Sequence, residues 1–265
     1  MAYIPTEVAR RVERQRLAYY CSKASAEFWD THWKQHLPPE IFRQADNGNL
    51  GWFEKPFTTY LSKEGPILEA GCGIGVYVRA LRVRGYNVEG IEWGASTVEA
   101  VCTLYPDLPI RKGDVTSLEV PDGYYSGYIS LGVVEHSQEG PELFLKESYR
   151  VLTPGGVALI SVPFFHSLRH LKARLGLYRD QPGELEFYQY AFTEKEFRAI
   201  LERAGFNIID TMHYDGFKGV KDELPFLNDI VQWPIIGQRV KRWLQSHKWI
   251  EGALGHMILF ICRKA

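Results

Sequence analysis

Several things are scarce in this chain, and each scarcity closes off a class of protein. Cysteine occurs four times, at positions 21, 72, 102 and 262, with no Cys-x-x-Cys or Cys/His spacing. That pattern excludes a disulfide framework and a zinc-finger type of site, and predicts a reducing, cytoplasmic setting. Charge of one sign is missing: 31 Lys and Arg face 32 Asp and Glu, for a net charge of -1. The basic footprint of a dedicated nucleic-acid binder is therefore absent, and no nucleic-acid partner is expected. The longest apolar runs, around Val157 to Val162 and Met257 to Cys262, have the length of buried strands. They fall far short of the ~20 residues of a membrane span, so no transmembrane segment is predicted. The charged stretch Arg10 to Arg16 is not followed by an apolar h-region, which predicts no signal peptide. Internal repeats and low-complexity blocks are lacking too.

What is present is an ordinary globular composition, 45% hydrophobic and 24% charged over 265 residues, with one excess. Aromatic residues make up 14%, as 7 Trp, 15 Tyr and 14 Phe, more rings than a core of this size needs.

From about residue 65 short apolar runs alternate with helix-period segments, the rhythm of an α/β domain. Strands are predicted at Ile67 to Ala70, Val88 to Glu92, around Ile110, Tyr128 to Leu131, Val157 to Val162, Phe206 to Ile209 and Met257 to Ile261. Helices are predicted from Val76 to a stop at Gly85, from a Ser96 cap to Leu104, from Pro141 to Leu152, and after the capping box Thr193-Glu194-Lys195-Glu196. Residues 164 to 191 break the rhythm and read as an insertion, as does 211 to 250. Residues 1 to 62 read as appended helices, because no strand signal interrupts them. Much of the aromatic excess falls in these three segments.

The segment Glu69-Ala70-Gly71-Cys72-Gly73-Ile74-Gly75 places three glycines between a strand and a helix. Backbone without Cβ atoms can pass close to a ligand, and the following helix offers free N–H groups. A dinucleotide fingerprint has the spacing GxGxxG; here the spacing is GxGxG with an acid ahead of it, which repels phosphate and attracts an ammonium group. Glu92 ends the second strand, where a carboxylate can accept from a ribose diol. Asp114, after the third strand, can accept from an exocyclic amine. Three acids at the ends of three consecutive strands converge on the crevice where open parallel sheets bind ligands.

These residues resemble the class I S-adenosylmethionine-dependent methyltransferases, specifically their small-molecule branch, from about Pro66 to Val162 and more loosely from Thr193 to Ile209. Ile67 to Gly75 looks like the family's first motif. Val88 to Glu92 is similar to its ribose-binding strand, Gly113-Asp114-Val115 to its adenine contact, and Val133-Val134-Glu135-His136 to its post-strand Glu-His. Tyr149 to Gly156 resembles its turn before strand five. The resemblance implies a Rossmann-like, seven-stranded, mostly parallel sheet flanked by helices, with the last strand antiparallel. It places a methyltransferase domain at 63–265 behind an N-terminal cover at 1–62.

The implied cofactor is S-adenosyl-L-methionine, leaving S-adenosyl-L-homocysteine, held by Glu69, Gly71, Cys72, Gly73, Gly75, Glu92, Trp93, Asp114, Val115 and Leu131. The implied reaction is SN2 methyl transfer to a small-molecule acceptor, at an oxygen of a sugar, lipid-linked precursor or secondary metabolite. An RNA or protein methyltransferase and a non-catalytic cofactor-binding subunit are the alternatives. His136 is the candidate general base, against a role in shaping the pocket. Phe164, Phe165, His166, Tyr188, Tyr190 and His213 are candidates for the acceptor wall. Trp29 and Trp33, one helical turn apart, read as a packing face.

Two positions depart from the family pattern. Ser126 stands where the family opens strand four with Asp. Gly132 stands where some relatives carry the first Glu of a metal-binding ExxEH, so no metal is expected. Trp233 to Trp249 is basic and amphipathic, and reads as a lid helix with a solvated face more than as a membrane-surface helix.

Overall fold

The computed structural model describes residues 8–35, 39–224 and 247–265, together with Gly237 and Arg239. Seven strands form the main sheet: β3 (Ile67–Ala70), β4 (Val88–Glu92), β5 (Ile110–Lys112), β6 (Tyr125–Leu131), β7 (Leu152–Pro163), β9 (Phe206–Tyr214) and β10 (Met257–Lys264). Their spatial order is β5-β4-β3-β6-β7-β10-β9. The pairs from β5 to β7 are parallel, and β10 runs antiparallel to both β7 and β9. All seven lie where the apolar runs predict them.

Parallel neighbours need crossovers, and helices supply them. Helix α4 (Val76–Val83) links β3 to β4, α5 (Ala95–Leu104) links β4 to β5, and α6 (Glu142–Val151) links β6 to β7. Gly85, at φ +83°, ends the α4 turn as expected. With helices on both faces the central strands are buried on both sides, so they read as continuous apolar runs. All four residues of β3 and the last eight of β7 are buried. The Thr153-Pro154-Gly155-Gly156 turn is absorbed as a bulge inside β7, where Tyr125 pairs with Leu152 but Gly127 pairs with Val157.

The sheet reverses direction of growth between β3 and β6. Their carboxyl ends open the crevice that doubly wound sheets use for ligands.

Above this crevice lies a second sheet, which corrects the expectation that residues 1–62 are all helical. Strands β1 (Ala9–Glu13) and β2 (Arg16–Cys21) form a hairpin, and β2 also pairs with β8 (Glu186–Ala191) from the 164–191 insertion. The hairpin turn has only Arg14 and Gln15 between paired residues Glu13 and Arg16, with Arg14 at φ +58°. Such two-residue turns favour Asn-Gly or Gly, so the usual sequence signal is missing. The remainder of the extension is helical: α1 (Ala26–Gln35), α2 (Pro39–Asp46), a single 3-10 turn at Gly51–Phe53, and α3 (Glu54–Tyr60).

Helices α7 (Ser167–Arg174), α8 (Glu194–Arg203), α9 (Gly216–Glu223) and α10 (Lys248–Leu254) complete the described elements. Thr193 caps α8 by accepting from Glu196 N–H at 3.1 Å, while the Glu196 carboxylate accepts from Arg16 Nε at 2.6 Å. One charged cluster ties α7 and α9 together inside the protein, and Arg10 of β1 reaches it at 3.5 Å from Glu223. Buried Glu223 accepts from buried Arg169 at 2.9 Å, from Lys172 at 2.8 Å and from Tyr178. Among the described residues no helix is long and apolar enough to cross a membrane. Most of Trp233 to Trp249, including Lys241, Arg242 and Trp243, lies outside the described residues; Trp249 itself is exposed.

Candidate active site

The glycine turn between β3 and α4 is stitched to β4: Gly71 and Cys72 N–H donate to the Ile91 carbonyl at 2.8 and 3.0 Å. Gly71 and Gly73 have φ of +74° and +53°, a region that side chains rarely adopt. Neither has room for one. A Cβ on Gly71 would meet Val133 at 2.5 Å, and one on Gly73 would meet the ring of Trp33 at 2.5 Å.

Glu92 is held by the same turn. One oxygen accepts from Gly73 N–H at 2.8 Å and the other from Gly94 N–H at 3.0 Å. Burial raises its pKa above the usual carboxylate value, against the lowering effect of these bonds. Each oxygen keeps a lone pair for a further donor.

Glu92 opens onto a cavity of about 780 Å³ at the carboxyl ends of β4, β3 and β6, in the size range of small-molecule sites. On the β5 side it is lined by Trp93, Gly113, Asp114, Val115 and Thr116; Gly71, Leu131, Gly132, Val133 and His136 line its middle. Tyr20, Lys23, Trp29, Trp33, Phe144, Leu185, Glu186 and Phe187 belong to the same lining. Asp114 is fixed by its own turn, its Oδ1 accepting from Thr116 N–H at 2.8 Å and hydroxyl at 2.7 Å.

A methyltransferase-domain family matches residues 44–211, more than half of the chain. The chain belongs to that family. Over 146 residues this methyltransferase-domain chain is 33% identical to a probable S-adenosylmethionine-dependent methyltransferase of Mycolicibacterium smegmatis, covering 55% of this chain and 53% of that protein. A malonyl-[acyl-carrier protein] O-methyltransferase of Serratia marcescens is 31% identical over 105 residues, 40% of this chain and 41% of that one. The chain thus spans about half the length, or less, of these two relatives. The fold is shared with a chain in the solved complex of the Haloferax volcanii Trm112 methyltransferase activator and a putative methyltransferase. The TM-score is 0.59 at 16% identity, over 91% of this chain and 96% of that one.

Within the methyltransferase domain, the cavity brings together Gly71, Glu92, Trp93, Asp114, Val115, Leu131 and His136. The other predicted cofactor residues lie beneath it. Cys72 is buried against Gly90, and burial pushes its thiol pKa well up. Gly73 and Gly75 shape the turn under Trp33 and Ile110. Glu69 is buried on β3 with one oxygen unpartnered; it faces the Val78 N–H in the first turn of α4, and burial pushes its pKa up to about 8.

His136 ends a 3-10 turn after β6. Its Nδ1 lies 2.7 Å from the Tyr188 carbonyl, which fixes the proton on Nδ1 and leaves Nε2 as an acceptor. Burial lowers its pKa to about 4, so the ring is neutral near pH 7. Nε2 is 4.0 Å from Glu135, a buried carboxyl group whose pKa burial pushes up to about 8.

None of the predicted acceptor-wall residues lines the cavity. Phe164 and His213 pack against each other (4.6 Å between centroids), and His166 is fully buried near Arg169. Phe165 stacks on His170, Tyr188 packs behind His136, and the Tyr190 hydroxyl donates to the Gln138 carbonyl at 3.1 Å. Of the aromatic rings that line it, Trp93 was predicted there, while Tyr20, Trp29, Trp33, Phe144 and Phe187 were not. The i, i+4 spacing of Trp29 and Trp33 was the available signal: the face they form points into the cavity as well as onto its neighbours.

Proposed function

We propose that this protein is an S-adenosyl-L-methionine-dependent methyltransferase acting on an oxygen atom of a small molecule, in the class of sugars, lipid-linked precursors or secondary metabolites. The observation that carries the proposal is the placement of Glu92. It is locked by the glycine turn and opens onto a cavity that also reaches His136. The name of the Serratia marcescens relative supports oxygen as the receiving atom.

The donor set suits a nucleoside with a cationic tail. The Glu92 oxygens take the ribose diol, Trp93 packs on the adenine, and Asp114 accepts from its exocyclic amine. The orphaned oxygen of Glu69 lies beside the turn that meets the methionine end, where an ammonium group would favour its ionised form. When bound, the sulfonium supplies an electrophilic methyl group. The protein's own work is alignment and exclusion of water. His136, neutral and oriented by Tyr188, accepts a hydrogen bond from the acceptor hydroxyl and receives its proton. The domain responsible is 63–265, with 1–62 as its cover, and its free cysteines suit a cytoplasmic setting.

Calorimetric titration with S-adenosyl-L-homocysteine tests this reading. Binding to the wild type that weakens about tenfold or more in Glu92→Ala supports it, since hydrogen bonds to a charged group contribute about 1.5–3 kcal/mol. Tight binding of NAD with no affinity for S-adenosyl-L-homocysteine would overturn it.

A further inference from the structure

The two ends of the cavity differ in chemistry. Toward β5 its lining carries the polar groups of Glu92, Asp114 and Thr116 beside Trp93 and Val115. Around His136 it is made of rings. Trp29 meets His136 edge-on at 5.0 Å between centroids, and Tyr20 meets Phe187 at 5.9 Å across the β2–β8 pair. Tyr20 and Phe187 are buried, whereas Lys23, Gln138, Glu139 and Glu186 are exposed. Charge is thus at the mouth and aromatic surface is inside.

Polyols need hydrogen-bond partners along their length, because a buried hydroxyl without one costs free energy. A flat ring needs faces and edges to pack against, and the inner wall offers those. His136 adds a chemical constraint. With Nδ1 committed to Tyr188 it has a single acceptor atom, and burial makes it a weak base. An aliphatic alcohol, a far weaker acid than a phenol, asks the most of such a base. A hydroxyl whose conjugate base is already stabilised, such as a phenol with a pKa of about 10, asks far less of it.

We propose that the methyl acceptor is a planar aromatic compound methylated on a phenolic hydroxyl, with its ring held by Trp29 and Phe187 and its hydroxyl on His136. The assignment rests on the function proposed above and narrows it. In the balanced step the phenolic O–H bond breaks and its proton passes to His136 Nε2 and then to water. A C–O bond forms to the methyl carbon, and the C–S electron pair returns to sulfur, which becomes neutral.

The test uses two probes with one carbon skeleton, 2-naphthol and decahydro-2-naphthol, titrated into the full chain saturated with S-adenosyl-L-homocysteine. Affinity is read by calorimetry. The expected result is at least about tenfold tighter binding of 2-naphthol, a difference of about 1.4 kcal/mol. Trp29→Leu, which keeps apolar bulk without the ring, should erase most of that preference while melting near the wild-type temperature. His136→Leu, which removes the Nε2 acceptor, should weaken 2-naphthol binding. Equal affinity for the two probes, affinity for neither, or a preference untouched by Trp29→Leu would overturn the phenol assignment. If S-adenosyl-L-homocysteine itself does not bind, the underlying methyltransferase reading fails instead.

Discussion

Asp30 Oδ1 accepts two hydrogen bonds from Thr97, one from its backbone N–H and one from its hydroxyl, each at 2.8 Å. Its other oxygen takes the Ser96 N–H at 3.2 Å. Helix α5 therefore has its cap supplied by α1, from 66 residues earlier in the chain, and not by Ser96 as its sequence predicts. The same α1 carries Trp29 and Trp33 into the cavity. Asp30→Ala should cost about 1 kcal/mol for the lost cap, lowering the melting temperature by about 2–4 °C. It should also weaken S-adenosyl-L-homocysteine, because the loop it anchors follows Glu92 directly. Calorimetry of folding and of binding on one variant checks both; a full-affinity variant would show that the cap acts on stability alone.

Gly73→Ala places a methyl group 2.5 Å from the Trp33 ring, at a φ of +53°. S-adenosyl-L-homocysteine binding should be lost. Adding Trp33→Ala relieves the clash but leaves a backbone strain of about 1–2 kcal/mol, so the double variant should recover part of the affinity. A double variant no better than the single would mean that the ring is not what closes the turn.

The Glu69 and His136 shifts have opposite consequences for stability against pH. Glu69 rises from 4.5 to about 8 on folding, so its contribution is present below pH 4.5 and is lost as pH rises toward 8. His136 falls from 6.5 to about 4, so the native state binds fewer protons and stability is lost as pH falls from 6.5 toward 4. Thermal melts of Glu69→Gln should gain on the wild type between pH 5 and pH 8, and those of His136→Gln should be flatter between pH 6.5 and pH 4. Parallel curves would refute either assignment.

Breaking the buried pair at Glu223 strands Arg169 without its carboxylate. Glu223→Gln should cost about 3–5 kcal/mol, the penalty of an uncompensated buried charge, and Arg169→Met less, because Lys172 still meets Glu223. The double variant Arg169→Met with Glu223→Leu should cost less than Glu223→Gln alone. Urea unfolding of the three variants checks the ordering. Arg169, Lys172 and the Tyr178 hydroxyl hold Glu223, against the effect of burial, at about 2. Its contribution is thus present above 4.5 and is lost as pH falls through about 2.

The central strands were legible because burial on both faces leaves a continuous apolar run, and the half-exposed edge strands β5 and β9 by their place in the strand–helix alternation. Glu92 and Asp114 were legible because, with the glycine turn, they fall at the carboxyl ends of consecutive parallel strands, where such sheets bind ligands. The β1–β2 hairpin was hidden by its arginines and by a turn without glycine or asparagine: Arg16 is placed by Glu196, far away in sequence. The inner wall was hidden for a related reason. Phe187 reaches the cavity while its neighbour Tyr188 does not, and that choice is made by the pairing of Phe187 with Tyr20 across a bulge, which local sequence does not specify.

That pairing also sets an order of events. The outer sheet joins segments separated by up to 174 residues, from Leu17 on β2 to Ala191 on β8. Contacts of such long range carry the largest loop-closure cost and form late. On the ribosome, β2 emerges early and waits for β8 while the glycine turn and strands β3 to β7 are made. The ring-lined wall of the cavity is therefore completed after the glycine turn, and until then the edge of β2 is open to any other strand it meets.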